Sequence, residues 1–339
     1  MTVWMVLRRP FVKPDPMMPD TDRPPPRPPA RRLAAEAVAI AYLGAVAATA
    51  DVTGISYLLF PELAALAHDV LTRPRGTWAR APALVAATPV LTAILGTFIA
   101  RHMAYGLPAI LLTVAGAILV IRLLRSPVAP AISAGLLPLS LGVTSWLYPP
   151  SILAGTGILA GLSLLGRRFA PAPPEPLSAA DLRDDIVELP PTGLSWLPAF
   201  LIFLIADASL AVATGWRFLL YPPLVVIAFE MFAHPAACPW APRPLALAAA
   251  CTLSAGLGTL FVLLLGATPA AVMLSMTGGV LLLRLFRLHV PPALAVGLLP
   301  FVLPQVDGRF PLAVGGGTLL LAGLFLLWRR ARAESTPRA

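Results

Sequence analysis

Charge is scarce in this sequence. Only 12% of its 339 residues are Asp, Glu, Lys or Arg, about half the share that a water-soluble globular domain carries. The hydrophobic share is 58% and the mean hydropathy is +0.82. So little polar surface excludes an ordinary soluble domain, and lipid has to cover the apolar segments. Cysteine is nearly absent: Cys238 and Cys251 make no disulfide framework and say little about redox compartment. Lysine is limited to Lys13, so arginine carries the net charge of +9. Those arginines do not gather on a polar domain as nucleic-acid binding requires, and no nucleic-acid partner is expected. They stand at the ends of apolar segments, for example Arg73, Arg75 and Arg80, or Arg167 and Arg168, which is the positive-inside pattern. Met1 to Leu7 is apolar but precedes Arg8 and Arg9, the reverse of a signal peptide's order.

Two polar stretches divide what remains. Residues 1–32 hold nine prolines and scattered charge, too little apolar surface to offset the entropy of ordering them, and read as a disordered Pro-rich cytoplasmic tail. Residues 169–194 form a polar, acidic linker in which "SAADLRDDIVEL" begins with Ser178 and has Asp181 three residues on, a capping-box-like start for a short surface helix. Between and beyond them lie two apolar units, 33–168 and 195–330, with a short tail at 331–339.

The two units repeat one another. "RLLRSPVAPAISAGLLP" begins at Arg122 and "RLFRLHVPPALAVGLLP" at Arg284, 162 residues later. "YLLFPELAALAHDV" from Tyr57 answers "FLLYPPLVVIAFEM" from Phe218, and Gly155, Thr156 and Gly161 fall on Gly317, Thr318 and Gly323. Each unit has about six apolar segments. The fold expected is therefore all-α: a polytopic transmembrane helical bundle of two repeats.

Several segments fall short of the roughly 20 residues a span takes. The short ones, Tyr57 to Leu71 and Val128 to Gly142 with their partners, contain proline, so they either tilt across or re-enter supported by protein. Arginine placement favours six crossings per unit. With the N-terminus inside, Arg73, Arg75, Arg80, Arg122, Arg125, Arg167 and Arg168 then share the inner side, and only Arg101 and His102 of that unit fall outside. An even count makes the repeats parallel, related by an axis along the membrane normal. The expected location is the cell (plasma) membrane, multi-pass, with cytoplasmic termini and lipid as a partner.

"RLHVPPALAVGLLP" resembles the His-Pro-Pro-Ala motif of the HPP family of integral membrane proteins. "HPAACPWAPRPLAL", from His234, is similar to that family's Pro-rich loop. The likeness covers about 54–168 and 215–330. It departs where Val290 separates His289 from Pro291 and Pro292, and where Pro127 stands at the histidine's place in the first copy. Family members are usually described as one unit of four spans, whereas this chain carries two units. The resemblance implies a transporter or channel for a small anion, nitrite-like by that resemblance only. The alternative is a non-transporting structural or assembly membrane protein.

Ionisable groups within apolar segments are functional candidates because a charge in lipid is expensive: Glu36, Asp51, Glu62, His68, Asp69, Asp207 and Glu230. Glu36, a turn from Arg32, reads as a solvated helix end. Asp69 and Glu230 are equivalent positions and read either as helix-end acids paired with Arg73 or His234, or as proton-coupling acids. His234 and Cys238 have metal-ligand character, but Pro235 and Pro239 oppose a shared helical face. No metal, cofactor or enzymatic constellation is expected. The doubled motif offers an anion site: prolines start new helices whose N-terminal N–H groups point toward the break. Arg122, Arg125, Arg284 and Arg287 lie beside it, with His289 in the second copy. The competing reading gives those arginines to topology alone. The Gly-rich last segments suit close helix packing, within the chain or between copies in a homo-oligomer.

Overall fold

The computed structural model describes residues 29–169, 179–191 and 193–334. The readings of the tail before residue 29 and of the last five residues lie outside them. The described residues are helical, with no strand among them. In chain order they form α1 Pro29–Thr53, α2 Leu63–Thr72, α3 Thr77–Arg80, α4 Pro82–His102, α5 Leu107–Leu124, α6 Ala131–Leu141 and α7 Tyr148–Phe169. Then follow α8 Ala179–Glu188, α9 Leu197–Thr214, α10 Pro222–Ala233, α11 Pro244–Leu265, α12 Pro269–Phe286, α13 Pro291–Leu298 and α14 Arg309–Glu334. Proline sets many of the starts: α4, α5 and α9 to α13 all carry it in their first or second position, where no N–H partner is needed. The acidic linker does contain a helix, α8; Ser178 lies outside the described residues.

Among the described residues, eight helices are long and apolar enough to cross a membrane: α1, α4, α5, α7, α9, α11, α12 and α14. The chain thus fits a multi-pass membrane protein. Of the other six, α2, α6, α10 and α13 have 8 to 12 residues and reach only about 12–18 Å at 1.5 Å per residue, against a hydrocarbon core of about 30 Å. Against the twelve crossings expected from the sequence, eight of the described helices have the length to cross and four reach about half as far.

The half-length helices are the core. Nearly every residue of α2, α6, α10 and α13 is buried, while the long helices around them expose Leu123, Leu285, Leu264 and Leu312, as lipid-facing surfaces do. Burial in protein lets irregular backbone stand at membrane depth. The core closes by backbone contact: a Cβ on Gly96 would lie 1.8 Å from the Gly135 carbonyl oxygen, and one on Gly258 would lie 2.0 Å from that of Gly297. Only glycine permits α4 to cross α6, and α11 to cross α13, this closely.

Helix-end contacts give the direction of each pass. Glu36 near the start of α1 meets Arg284 at the end of α12 and lies 3.8 Å from His68 late in α2. Trp78 of α3 donates to the Pro127 carbonyl before α6 at 2.8 Å, Ser163 late in α7 donates to Ala79 at 3.2 Å, and His289 before α13 faces α8. At the other end Arg101 donates to Thr144 at 2.6 Å and the Tyr105 hydroxyl to Arg217 at 3.3 Å, while Phe218 stacks edge-on with Phe310 at 5.5 Å. The passes alternate, so α2, α5, α7, α10, α12 and α14 all finish at the α8 end.

Candidate acidic pocket

The pocket begins with one buried cation. Arg73 follows α2 and is only 5% exposed, because the chain turns there into α3 and α8 closes over it. A buried guanidinium needs acceptors on all sides, and α8 supplies them. Arg73 Nη1 donates to Asp69 Oδ1 at 2.7 Å and to Glu188 Oε1 at 2.6 Å, and Nη2 donates to Asp185 Oδ1 at 2.9 Å. Asp184 Oδ2 stands 3.9 Å from Nε. Asp185 is further held by Arg80 at 3.0 Å and by the Thr77 N–H at 3.1 Å. Asp69, Glu188 and Asp184 hold Arg73 protonated beyond its ordinary range, outweighing burial, which acts the other way.

Acid outnumbers base here. Beyond the arginine cluster lies a pocket lined by Trp78, Asp184, Val187, Glu188, Glu230, Trp240, His289, Pro291 and Pro292, with a free volume of about 20 Å³, room for about one water. Asp69 Oδ2, Glu188 Oε2 and Glu230 Oε2 are buried without a hydrogen-bond partner among the described residues, as is the Trp240 indole N–H. Unpaired acceptors and a donor beside one small space are what a water, a proton or a small guest would satisfy. Burial first, then the neighbouring Asp69 charge, pushes the Glu188 carboxyl well above its ordinary value despite Arg73, so the cluster retains protons where isolated carboxylates would not.

No family model, no curated protein and no solved structure matches the chain.

Each residue singled out in the sequence has a place in this geometry. Asp69 and Glu230 both end buried half-length helices at the α8 end, but they differ in partners. Asp69 pairs with Arg73, whereas the Glu230 carboxylate has no ion pair among the described residues. His289 Nε2 lies 3.2 Å from Asp184 Oδ2, so the histidine of the doubled motif faces an acid of the chain's own linker. Arg284 is held by Glu36, itself 3.3 Å from Arg32; Glu36 is thus a buried bridge between α1 and α12 rather than a solvated end. Arg122, Arg125 and Arg287 are exposed.

The doubled motif has a backbone role in both copies. Arg125 and Arg287 are the two non-glycine residues with positive φ among those described, both at 50°, and each ends a long helix. Ser126 N–H bonds to Ile121 O at 2.9 Å and Arg125 N–H to Arg122 O at 3.2 Å; Leu288 and Arg287 repeat the pattern on Leu283 and Arg284 at 2.9 and 3.0 Å. This is the paired closure of a left-handed helix stop, usually given to glycine. The arginine charges lie at helix C-termini, where cations are favoured.

Other candidates fall elsewhere. His234 contacts the Leu189 carbonyl at 3.0 Å, and burial lowers its affinity for a proton while that contact raises it. Cys238 and Cys251 are separately buried and free, and no group of three His, Cys, Asp or Glu suited to a metal occurs among the described residues. Asp51 is exposed, whereas Asp207 in α9 is fully buried with neither carboxylate oxygen paired among the described residues. The linker acids Asp184, Asp185 and Glu188 are what sequence reading missed: charged residues in a Pro-rich linker look solvated, and only their docking on Arg73 reveals them.

Proposed function

We propose that the chain is a membrane transporter in which carboxylates at the α8 end bind protons that move with a small solute. The observation that carries this is the pair of buried carboxylate oxygens, Glu188 Oε2 and Glu230 Oε2, of residues lining one small pocket and without a hydrogen-bond partner among the described residues, with Asp69 Oδ2 likewise unpartnered beside the Arg73 that Asp69 and Glu188 share. Ionisable groups inside a membrane bundle are retained for work such as proton relay.

The architecture belongs to the same reading. We take the two units as parallel repeats about one axis. In support, the sequence of long, short, long, long, short and long helices runs twice, and the contacts between units are reciprocal. Here α1 packs on α12 as α9 packs on α5, and α2 packs on α13 as α10 packs on α6, the pattern of a two-fold interface. The α8 end is assigned to the cytoplasm, because only Arg101, Arg217 and Arg309 among the described arginines lie at the opposite end.

A small anion is the cargo that the HPP-like motif implies, and a proton travelling with a monovalent anion moves no net charge. The exposed Arg122, Arg125 and Arg287 at this face would raise the local anion concentration; the pocket itself, acid-lined, takes the proton. The test is uptake into vesicles reconstituted with the chain, using nitrite, nitrate and formate as probes with and without an imposed pH gradient. Gradient-dependent uptake above that of protein-free vesicles is expected, falling about tenfold or more in Glu230→Gln and Asp69→Asn. Absence of uptake for every probe would favour the structural role instead.

A further inference from the structure

We infer that Glu62, with Ser133 beside it, is a proton-binding site at mid-depth of the bundle. Glu62 precedes α2 and is 1% exposed, and both of its carboxylate oxygens are buried without a hydrogen-bond partner among the described residues. Ser133 in the first turn of α6 is also 1% exposed and its hydroxyl is also unpartnered, and it is the side chain set to hydrogen-bond the Glu62 carboxyl. An acid and a hydroxyl left unsatisfied side by side, in a core otherwise closed by apolar side chains, are expensive unless a proton is shared between them.

Depth follows from packing. Leu63 lies against Gly155, which is about 10 Å along α7 from Tyr148 at 1.5 Å per residue. The other end of α2 reaches Arg73 at the α8 end, about 15 Å away by the same rise. Glu62 therefore stands near the middle, where the irregular stretch before α2 gives way to helix and where α6 also begins.

Glu62 stands at the N-terminal end of α2, close to the first turn of α6. The titratable and charged groups that face it from its packing elements are Tyr148 of α7 and Glu230 of α10. Tyr148 is committed elsewhere, donating to the Ala134 carbonyl at 2.9 Å. At the far end of α2 lie His68 and Asp69, reached from α1 by Glu36 and from α8 by Asp184 and Glu188. Glu230 itself lines the α8-end pocket, and the charges of Glu62, Asp184 and Asp69 all act on it.

The second unit has no such site. At the positions equivalent to Glu62, Ser133 and Tyr148 stand Pro223, Ala295 and Phe310, so the central proton site belongs to the first unit alone. As a step in transport this inference rests on the proposed function; as a protonation site it does not, and the experiment separates the two. Infrared difference spectra between acid and alkaline buffer are recorded on the purified full chain in nanodiscs, with isotope-labelled glutamate to mark glutamic-acid carbonyl bands. A labelled protonated-carboxyl band that is present at acid pH, lost in Glu62→Gln and shifted in Ser133→Ala is the expected result. A labelled spectrum unchanged in both variants would overturn the inference, even if proton-coupled uptake proceeds. The band's loss in Glu62→Gln supports it even if no uptake is found.

Discussion

At the residue scale the most unusual backbone belongs to Arg125 and Arg287. A left-handed conformation costs an L-residue about 1–2 kcal/mol, and both arginines accept it to end α5 and α12. Arg125→Gly is therefore expected to raise thermal stability in detergent, by about 1 kcal/mol, and Arg125→Val to lower it by at least that much, since branched residues tolerate this region worst. Equal effects of the two substitutions would contradict the assignment of a helix stop. Asp69 and Glu230 were paired in the sequence by a shared spacing, and each stands near the end of a buried half-length helix. The Glu36–Arg284 bridge was not legible there: its partners are 248 residues apart, and only folding brings them together. The acids of α8 were legible as a helix but not as ligands of Arg73, because composition cannot distinguish a solvated charge from a docked one.

At the scale of elements, the informative pieces are the half-length helices and α8. Hydropathy showed that four segments were short. It could not show that they form the core, since a lipid-facing leucine and a protein-buried one read alike. The proline-set starts were legible, because the missing N–H makes the first turn the natural place for them. Docking of α8 makes a prediction of its own. The Glu188 carboxyl is pushed up by burial and by Asp69, so the docked state holds its proton more tightly than the undocked state. The docking energy from that group is present in full below the ordinary carboxylate range and is lost as pH rises through the raised value. Amide exchange in α8, corrected for its intrinsic pH dependence, should accelerate as pH rises, and Glu188→Gln should remove the dependence. Protection that grows with pH would contradict it.

At the scale of the whole molecule, the reciprocal packing of the two units and the crowding of arginine at one end follow from a single plan. A layer of half-length helices is held inside eight long ones, with acidic groups gathered where that layer meets the α8 end. The central claim is that protons bound there move together with the solute. The most direct measurement is the internal pH of vesicles carrying the chain and an enclosed pH-sensitive dye, followed after an inward nitrite gradient is imposed. The account predicts acidification faster than in protein-free vesicles, abolished in Glu230→Gln and retained in Arg309→Gln at the opposite end. Nitrite entry through the chain without a matching change in internal pH, or acidification indifferent to Glu230, would contradict it.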